Sequence, residues 1–262
     1  MAFDYFTIQA LAQELDEQLR GAVIDRAYAR ADQLSFATQS KGEWFYGVGG
    51  RDGVLCLRGD VWPGDWNAGT GPEKYLMRAR IVDVDSERYE RILRLRLERR
   101  DRSGRLSHGV LVCQLIPNRV QFILHREEGG EVLGIWGGAR GGAVVGQVYQ
   151  APEPAGRLLP GIDPPDAWNK LLAGAEADVE KLARRHMAGA DATVVRELSF
   201  RARGEADRGA AIWAAAVAAY NSEVVLRAFV WAEGDKIHCS ALEPHRLQGS
   251  CESFERVGQA IW

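Results

Sequence analysis

The feature that most constrains this chain is an alternation. Leu93, Leu95 and Leu97 take turns with Arg94, Arg96 and Glu98. A period of two places the leucines on one face of a strand and the charges on the other. Residues 78–105 hold ten arginines against six acids (Asp83, Asp85, Glu87, Glu90, Glu98 and Asp101), a local charge of +4 in a chain of formal net charge −3. Gly104 marks a turn, and Val110, Val112, Leu115, Phe122 and Leu124 predict further strands behind it. The expectation is a β-meander with one aliphatic and one arginine-bearing face. A charged strand face is ordinarily just a solvated one. Here nearly all the bases are arginine, whose guanidinium fork suits phosphate and RNA recognition better than plain solubility requires.

At 262 residues the chain is long enough for two domains with real cores. No run of eighteen apolar residues occurs, so no membrane partner is expected. The opening Met-Ala-Phe-Asp-Tyr-Phe-Thr lacks a signal peptide's basic region and apolar core, which predicts a cytoplasmic protein. Cys56, Cys113, Cys239 and Cys251 are scattered and read as free thiols in a reducing compartment. A pI near 6.0 excludes a protein that coats nucleic acid with its whole surface, while leaving room for a local basic patch.

In chain order, Asp4 caps a predicted helix over residues 5–20 with Ile8, Leu11, Leu15 and Leu19 as its apolar stripe and Gly21 as its stop. Short strands follow at 23–30, 33–39, 44–48 and 53–58. Residues 60–72, rich in Trp, Gly and Pro, form a loop with aromatic anchors at Trp62 and Trp66. After the meander, a strand over 131–136 leads to a glycine-rich turn at 137–142. Residues 144–165 contain five of the nine prolines and mark a domain boundary. Helices are expected at 166–186, 193–203 and 208–221, the first two joined through Gly189 in a hairpin that can present amides to phosphates. Strands at 224–231 and 236–240 and a helix over 253–262 close an α+β chain. The domains are a β-rich unit (1–150), a linker (151–165), a helical hairpin unit (166–222) and C-terminal strands with a helix (223–262).

This order of segments resembles the NFACT family, the RqcH and fibronectin-binding protein A homologues. The likeness rests on the opening Met-Ala-Phe-Asp with its helix, Gly-Ala-Val-Ile-Asp-Arg-Ala-Tyr from Gly21, and Arg80-Ile81-Val82. It continues through the linker Gly146-Gln147-Val148-Tyr149-Gln150-Ala151-Pro152, the hairpin segments 186–189 and 196–202, and Cys251-Glu252-Ser253-Phe254. The resemblance implies an N-terminal β-sandwich with flanking helices, similar to that of formamidopyrimidine-type DNA glycosylases, followed by a helix-hairpin-helix domain and a coiled coil beyond Trp262. It implies ribosome-associated quality control: binding tRNA and a stalled large ribosomal subunit carrying peptidyl-tRNA. The family's Asp-Arg pair, linked to tRNA engagement, falls on Glu90-Arg91, where glutamate keeps the charge and adds a methylene. The family's helix before Arg80 is shortened to about residues 74–78, and its Gly-basic-x-Ser-Asn motif reads Pro117-Asn118-Arg119-Val120-Gln121.

The expected nucleic-acid-binding set is therefore Glu90, Arg91, Arg94, Arg96, Arg99, Arg119 and Gly189, with the arginines on one surface. Residues 47–53 mimic a dinucleotide-binding loop but join two strands, so no cofactor is expected. His238, Cys239, His245 and Cys251 lack paired ligand spacing, so no metal is expected either. No nucleophile-base constellation stands out, and the Pro-Glu start of a glycosylase is missing, which predicts a non-enzyme. Two alternatives remain, a DNA-lesion-binding glycosylase relative and a fibronectin-binding surface protein.

Overall fold

Asp4 starts the first helix. Its carboxylate accepts a hydrogen bond from Thr7 N at 2.7 Å and from the Thr7 hydroxyl at 2.6 Å, and α1 runs Tyr5–Leu19. Ile8, Leu11, Leu15 and Leu19 are all buried in one row, each contributing roughly 1.5–3 kcal/mol relative to exposure. In the computed structural model the described residues are 4–39, 44–49, 54–58, 71–100, 103–116, 119–137, 143–152, 156–173, 178–222, 226–234, 236–247 and 251–260. Trp62, Trp66 and the glycines of 138–142 lie outside them.

Two antiparallel meanders follow. The first orders β1 (Ile24–Arg30), β2 (Gln33–Thr38), β3 (Trp44–Val48) and β4 (Val54–Arg58) as neighbours in sequence. The second does the same with β5 (Arg80–Ser86), β6 (Ile92–Arg100), β7 (Leu106–Gln114), β8 (Gln121–Arg126) and β9 (Val132–Trp136). Gly104 turns between β6 and β7 at φ +82°. The sheets share one core. Phe36 stacks on Phe45 at 4.4 Å, and Phe45 meets Phe122 of the second sheet edge-on at 6.4 Å. They touch again where Gly49 and Gly137 approach so closely that a Cβ on Gly49 would stand 2.4 Å from the Gly137 backbone. α1 lies along β5, tied by Val84 N donating to Asp16 at 2.8 Å.

The stretch after β9 does not hang free. Tyr149 stacks on His125 at 4.9 Å and its hydroxyl accepts from Gln114 Nε2 at 3.0 Å. With Ala143 it covers Ile92, Val110, Val112 and Ile123 on the outer face of the second sheet. Leu158 then bridges Met187, and the chain enters α2 (Pro165–Ala173), α3 (Val179–His186), α4 (Ala192–Arg201) and α5 (Arg208–Asn221). These pack around a second core that includes Trp168, Met187, Val194, Leu198, Ile212 and Trp213.

Two sequence expectations need correction here. The single helix over 166–186 is two, because Asp178 starts α3 afresh by accepting from Glu180 N at 3.0 Å. The helix over 253–262 begins as a strand. β12 (Glu252–Phe254) pairs with β10 (Ala228–Glu233), which also pairs with β11 (Lys236–Ser240). Edge pairing thus overrides local propensity, and among the described residues of this stretch only α6 (Val257–Ala260) is helical. Ala228, Cys239 and Val257 from this last segment belong to the first core, so the two chain ends fold together.

Candidate nucleic-acid interface

Strand parity divides the predicted arginines. Leu93, Leu95 and Leu97 are buried, and Arg94 and Arg96 point the opposite way. Register sets Asp85 across from Arg94 and Asp83 across from Arg96. Arg94 Nε donates to Asp85 at 2.8 Å and its Nη1 lies 2.7 Å from Glu87, while Arg96 Nε donates to Asp83 at 2.8 Å. The carboxylate of Asp83 raises the Arg96 pKa through that hydrogen bond and its charge. Cross-strand pairs this exposed are worth about 0.2–1 kcal/mol each. Their consequence is electrostatic, since the ladder neutralises its own cations. Arg91 and Arg99 share parity with the leucines and sit at opposite ends of that face. Eight residues of strand separate them by about 27 Å. Arg99 turns to the Lys74 carbonyl at 3.3 Å. The arginines therefore do not form the one continuous surface expected from the sequence.

Four of the predicted residues do come together. Glu90 and Arg91 end the β5–β6 turn, Arg119 lies in the β7–β8 loop, and Gly189 lies in the α3–α4 turn. All line one cleft of about 450 Å³ at the seam between the second sheet and the helical unit. Arg157 and Asp191 line it as well. Arg91 Nη2 reaches Asp191 Oδ2 at 2.8 Å. Asp191 Oδ1 in turn accepts from Thr193 N at 2.8 Å and Val194 N at 2.9 Å, capping α4. The hairpin amides that the sequence offered to a phosphate thus already hold a carboxylate. Arg119 and Arg157 are exposed, and neither has an ion-pair partner among the described residues. Burial raises the Glu90 pKa, against the opposing pull of Arg157 and Arg91. With three arginines against Glu90 and Asp191, the cleft keeps a formal charge of +1.

Arg157 and Asp191 were missed by sequence reading. Arg157 is the sole cation of residues 144–165, and Asp191 carries the ordinary mark of a helix cap. Neither signal says that the two face Arg91.

An aromatic cluster holds the seam. Tyr89, at φ +64°, stacks on Tyr5 at 5.9 Å and packs on Tyr220 at 5.3 Å, and its hydroxyl donates to the Pro160 carbonyl. Tyr220 OH donates to Ala188 O at 3.0 Å beneath the hairpin turn. Gly189 adopts φ +71°, and a Cβ there would meet Tyr220 OH at 2.8 Å, so this turn needs glycine twice over.

Below the turn lies Asp4, fully buried. Burial, and next the charge of Asp191, push its carboxyl up to about 6, against hydrogen bonds from Ser240 and Thr7. The folded pKa stands above the unfolded one, so the folded state binds the proton more tightly. Stability is therefore expected to fall as pH rises from about 4 to about 6, and to stay reduced above that. Urea titrations across this window should show the slope in the wild type and its loss in Asp4→Asn, in which the asparagine still caps α1. Equal pH profiles for the two proteins would refute the assignment.

The remaining candidates are placed elsewhere. His238 stacks on Trp231 at 5.4 Å, while its neighbour Cys239 is buried with its thiol pushed to about 12 by burial. Among the described residues no group of three His, Cys, Asp or Glu side chains is arranged to hold a metal, and no helix is long and apolar enough to cross a membrane.

No protein-family model and no curated protein sequence matches the chain. Solved structures do match. The N-terminal part of the fibronectin/fibrinogen-binding protein from Streptococcus suis superposes with a TM-score of 0.76 at 17% identity, covering 99% of this chain and 97% of that one. The fibrinogen binding protein from Staphylococcus aureus gives 0.77 at 12% identity, covering 100% and 98%. The N-terminal domain of the fibronectin-binding protein PavA from Streptococcus pneumoniae gives 0.62 at 17% identity over 76% and 83%. The chain shares the α+β fold of these structures, over 99–100% of its length for the first two and 76% for the third.

Proposed function

We propose that the chain is a non-enzymatic RNA-binding module of the NFACT type, engaging tRNA and the large ribosomal subunit at stalled nascent chains. One observation carries this reading: Arg91, Arg119 and Arg157 converge from three separate segments on one cleft beside a helical hairpin. Guanidinium groups gathered at a concave seam suit the phosphates of a folded RNA, and the two exposed ones are available without breaking an internal pair. The family resemblance of Glu90-Arg91 supports the same place. The arginine ladder of β6 plays no part in this reading, because its charge is spent internally.

Fluorescence anisotropy with labelled tRNA tests it. Affinity should weaken with salt, with a slope of log K against log salt of about −2 to −3 for two to three phosphate contacts. Arg119→Glu, on an exposed side chain, should weaken binding about tenfold with unchanged thermal stability. The names of the matched binding proteins favour a second reading, capture of fibronectin or fibrinogen. Immobilised fibronectin and an abasic DNA duplex therefore belong in the same assay. Fibronectin capture without tRNA affinity at low salt would replace the first reading by the second, and preference for abasic duplex would point to lesion binding.

A further inference from the structure

A second cavity, of about 240 Å³, opens among α1, α4, α5 and the C-terminal segment. It is independent of the nucleic-acid reading. Behind its wall lies Glu197, whose side chain is 3% exposed. A carboxylate so buried needs its oxygens committed, and they are. Oε1 accepts from Arg201 Nε at 2.9 Å and lies 3.1 Å from His245 Nδ1, while Oε2 accepts from Arg246 N at 3.3 Å. Arg201 is fixed a second time by donating from Nη2 to the Glu243 carbonyl at 2.9 Å. Glu197 therefore fixes Arg201 in the cavity lining, where its Nη2 also lies 3.0 Å from His245 Nδ1 and its Nη1 makes no hydrogen bond among the described residues. Arg227, exposed, adds a second guanidinium. The other side is apolar, built from Phe6, Phe229 and Leu242.

We propose that this cavity binds a small monocarboxylate carrying an apolar group. Its volume equals that of about eight liquid waters at ~30 Å³ each, room for one ring and a short acid and little more. A carboxylate matches the planar guanidinium fork, and the aromatic floor receives the apolar group. A single charge fits better than the two of a phosphate monoester. Arg201 is already paired with Glu197, and Glu243 lines the same cavity, so a second negative charge meets repulsion rather than a partner.

Fluorine NMR with 4-fluorophenylacetate and the full chain tests the proposal, with 4-fluorophenylacetamide as the neutral comparison. The acid should bind saturably with a dissociation constant near or below about 1 mM, and the amide about tenfold more weakly. Arg227→Gln changes an exposed side chain and should weaken the acid about tenfold while leaving the amide unaffected. Arg201 is altered only together with Glu197, as Arg201→Gln/Glu197→Gln, because removing the arginine alone strands a buried charge. Equal binding of acid and amide, absence of saturable binding, or an unchanged constant in Arg227→Gln overturns the proposal.

Discussion

Trp168→Ala is expected to cost about 3–5 kcal/mol of stability. Trp168 is fully buried at the centre of the helical unit, stacks on Trp213 at 5.8 Å and donates from its indole to Gly209 O at 2.9 Å. Its neighbourhood cannot close over the gap. A Cβ on Gly209 would already stand 2.4 Å from Leu172, so α2 and α5 are in tight contact beside the indole. The substitution leaves a cavity and an unpaired carbonyl lone pair together. Because the α3–α4 turn with Gly189 and Asp191 rests on this core, the cleft should lose its order before the sheets do. Urea unfolding read by circular dichroism measures the cost, and a loss below about 1 kcal/mol would show that the helical unit does not depend on this core.

The second large effect separates Arg91 from Asp191. Arg91→Ala removes one of the cleft's three guanidinium groups and leaves Asp191 facing the cleft, so on the proposed reading binding of tRNA should fall at least about tenfold. Asp191→Asn acts in the opposite direction. Asparagine still accepts from Thr193 N and Val194 N, so α4 keeps its cap. It no longer neutralises Arg91, which becomes free for a phosphate. Affinity should rise about three- to tenfold. On the proposed reading a phosphate oxygen takes the place that Asp191 Oδ2 holds beside Arg91, while the cap amides stay with residue 191. Loss in one variant and gain in the other is a signature that simple destabilisation does not produce.

The elements whose cause is local were legible in the sequence. The cap at Asp4, the stripe of α1 and the period of two in β6 are set by residues a few positions apart, and strands β1 to β4 begin and end within a residue of where turn residues placed them. What escaped is set by distant partners. Nothing local in Glu252 to Phe254 announces that β10 lacks a neighbour, yet that vacancy makes the segment a strand. The candidate site divides in the same way. The neutralised ladder was readable in principle, because Asp83 and Asp85 alternate with the same period as Arg94 and Arg96. Only the register shows that the two rows face each other. Arg157 and Asp191 enter the cleft from a linker and a hairpin turn, 66 and 100 positions from Arg91, and tertiary packing alone places them there.

On the proposed reading three guanidinium groups at the seam form a phosphate site held in check by Asp191. Salt titrations of tRNA binding for the wild type and Asp191→Asn test it most directly. Tighter binding is expected in the variant, with a log K against log salt slope steeper by about 0.9, one added phosphate contact. Identical slopes and affinities, or no tRNA binding by either protein at low salt, would contradict it.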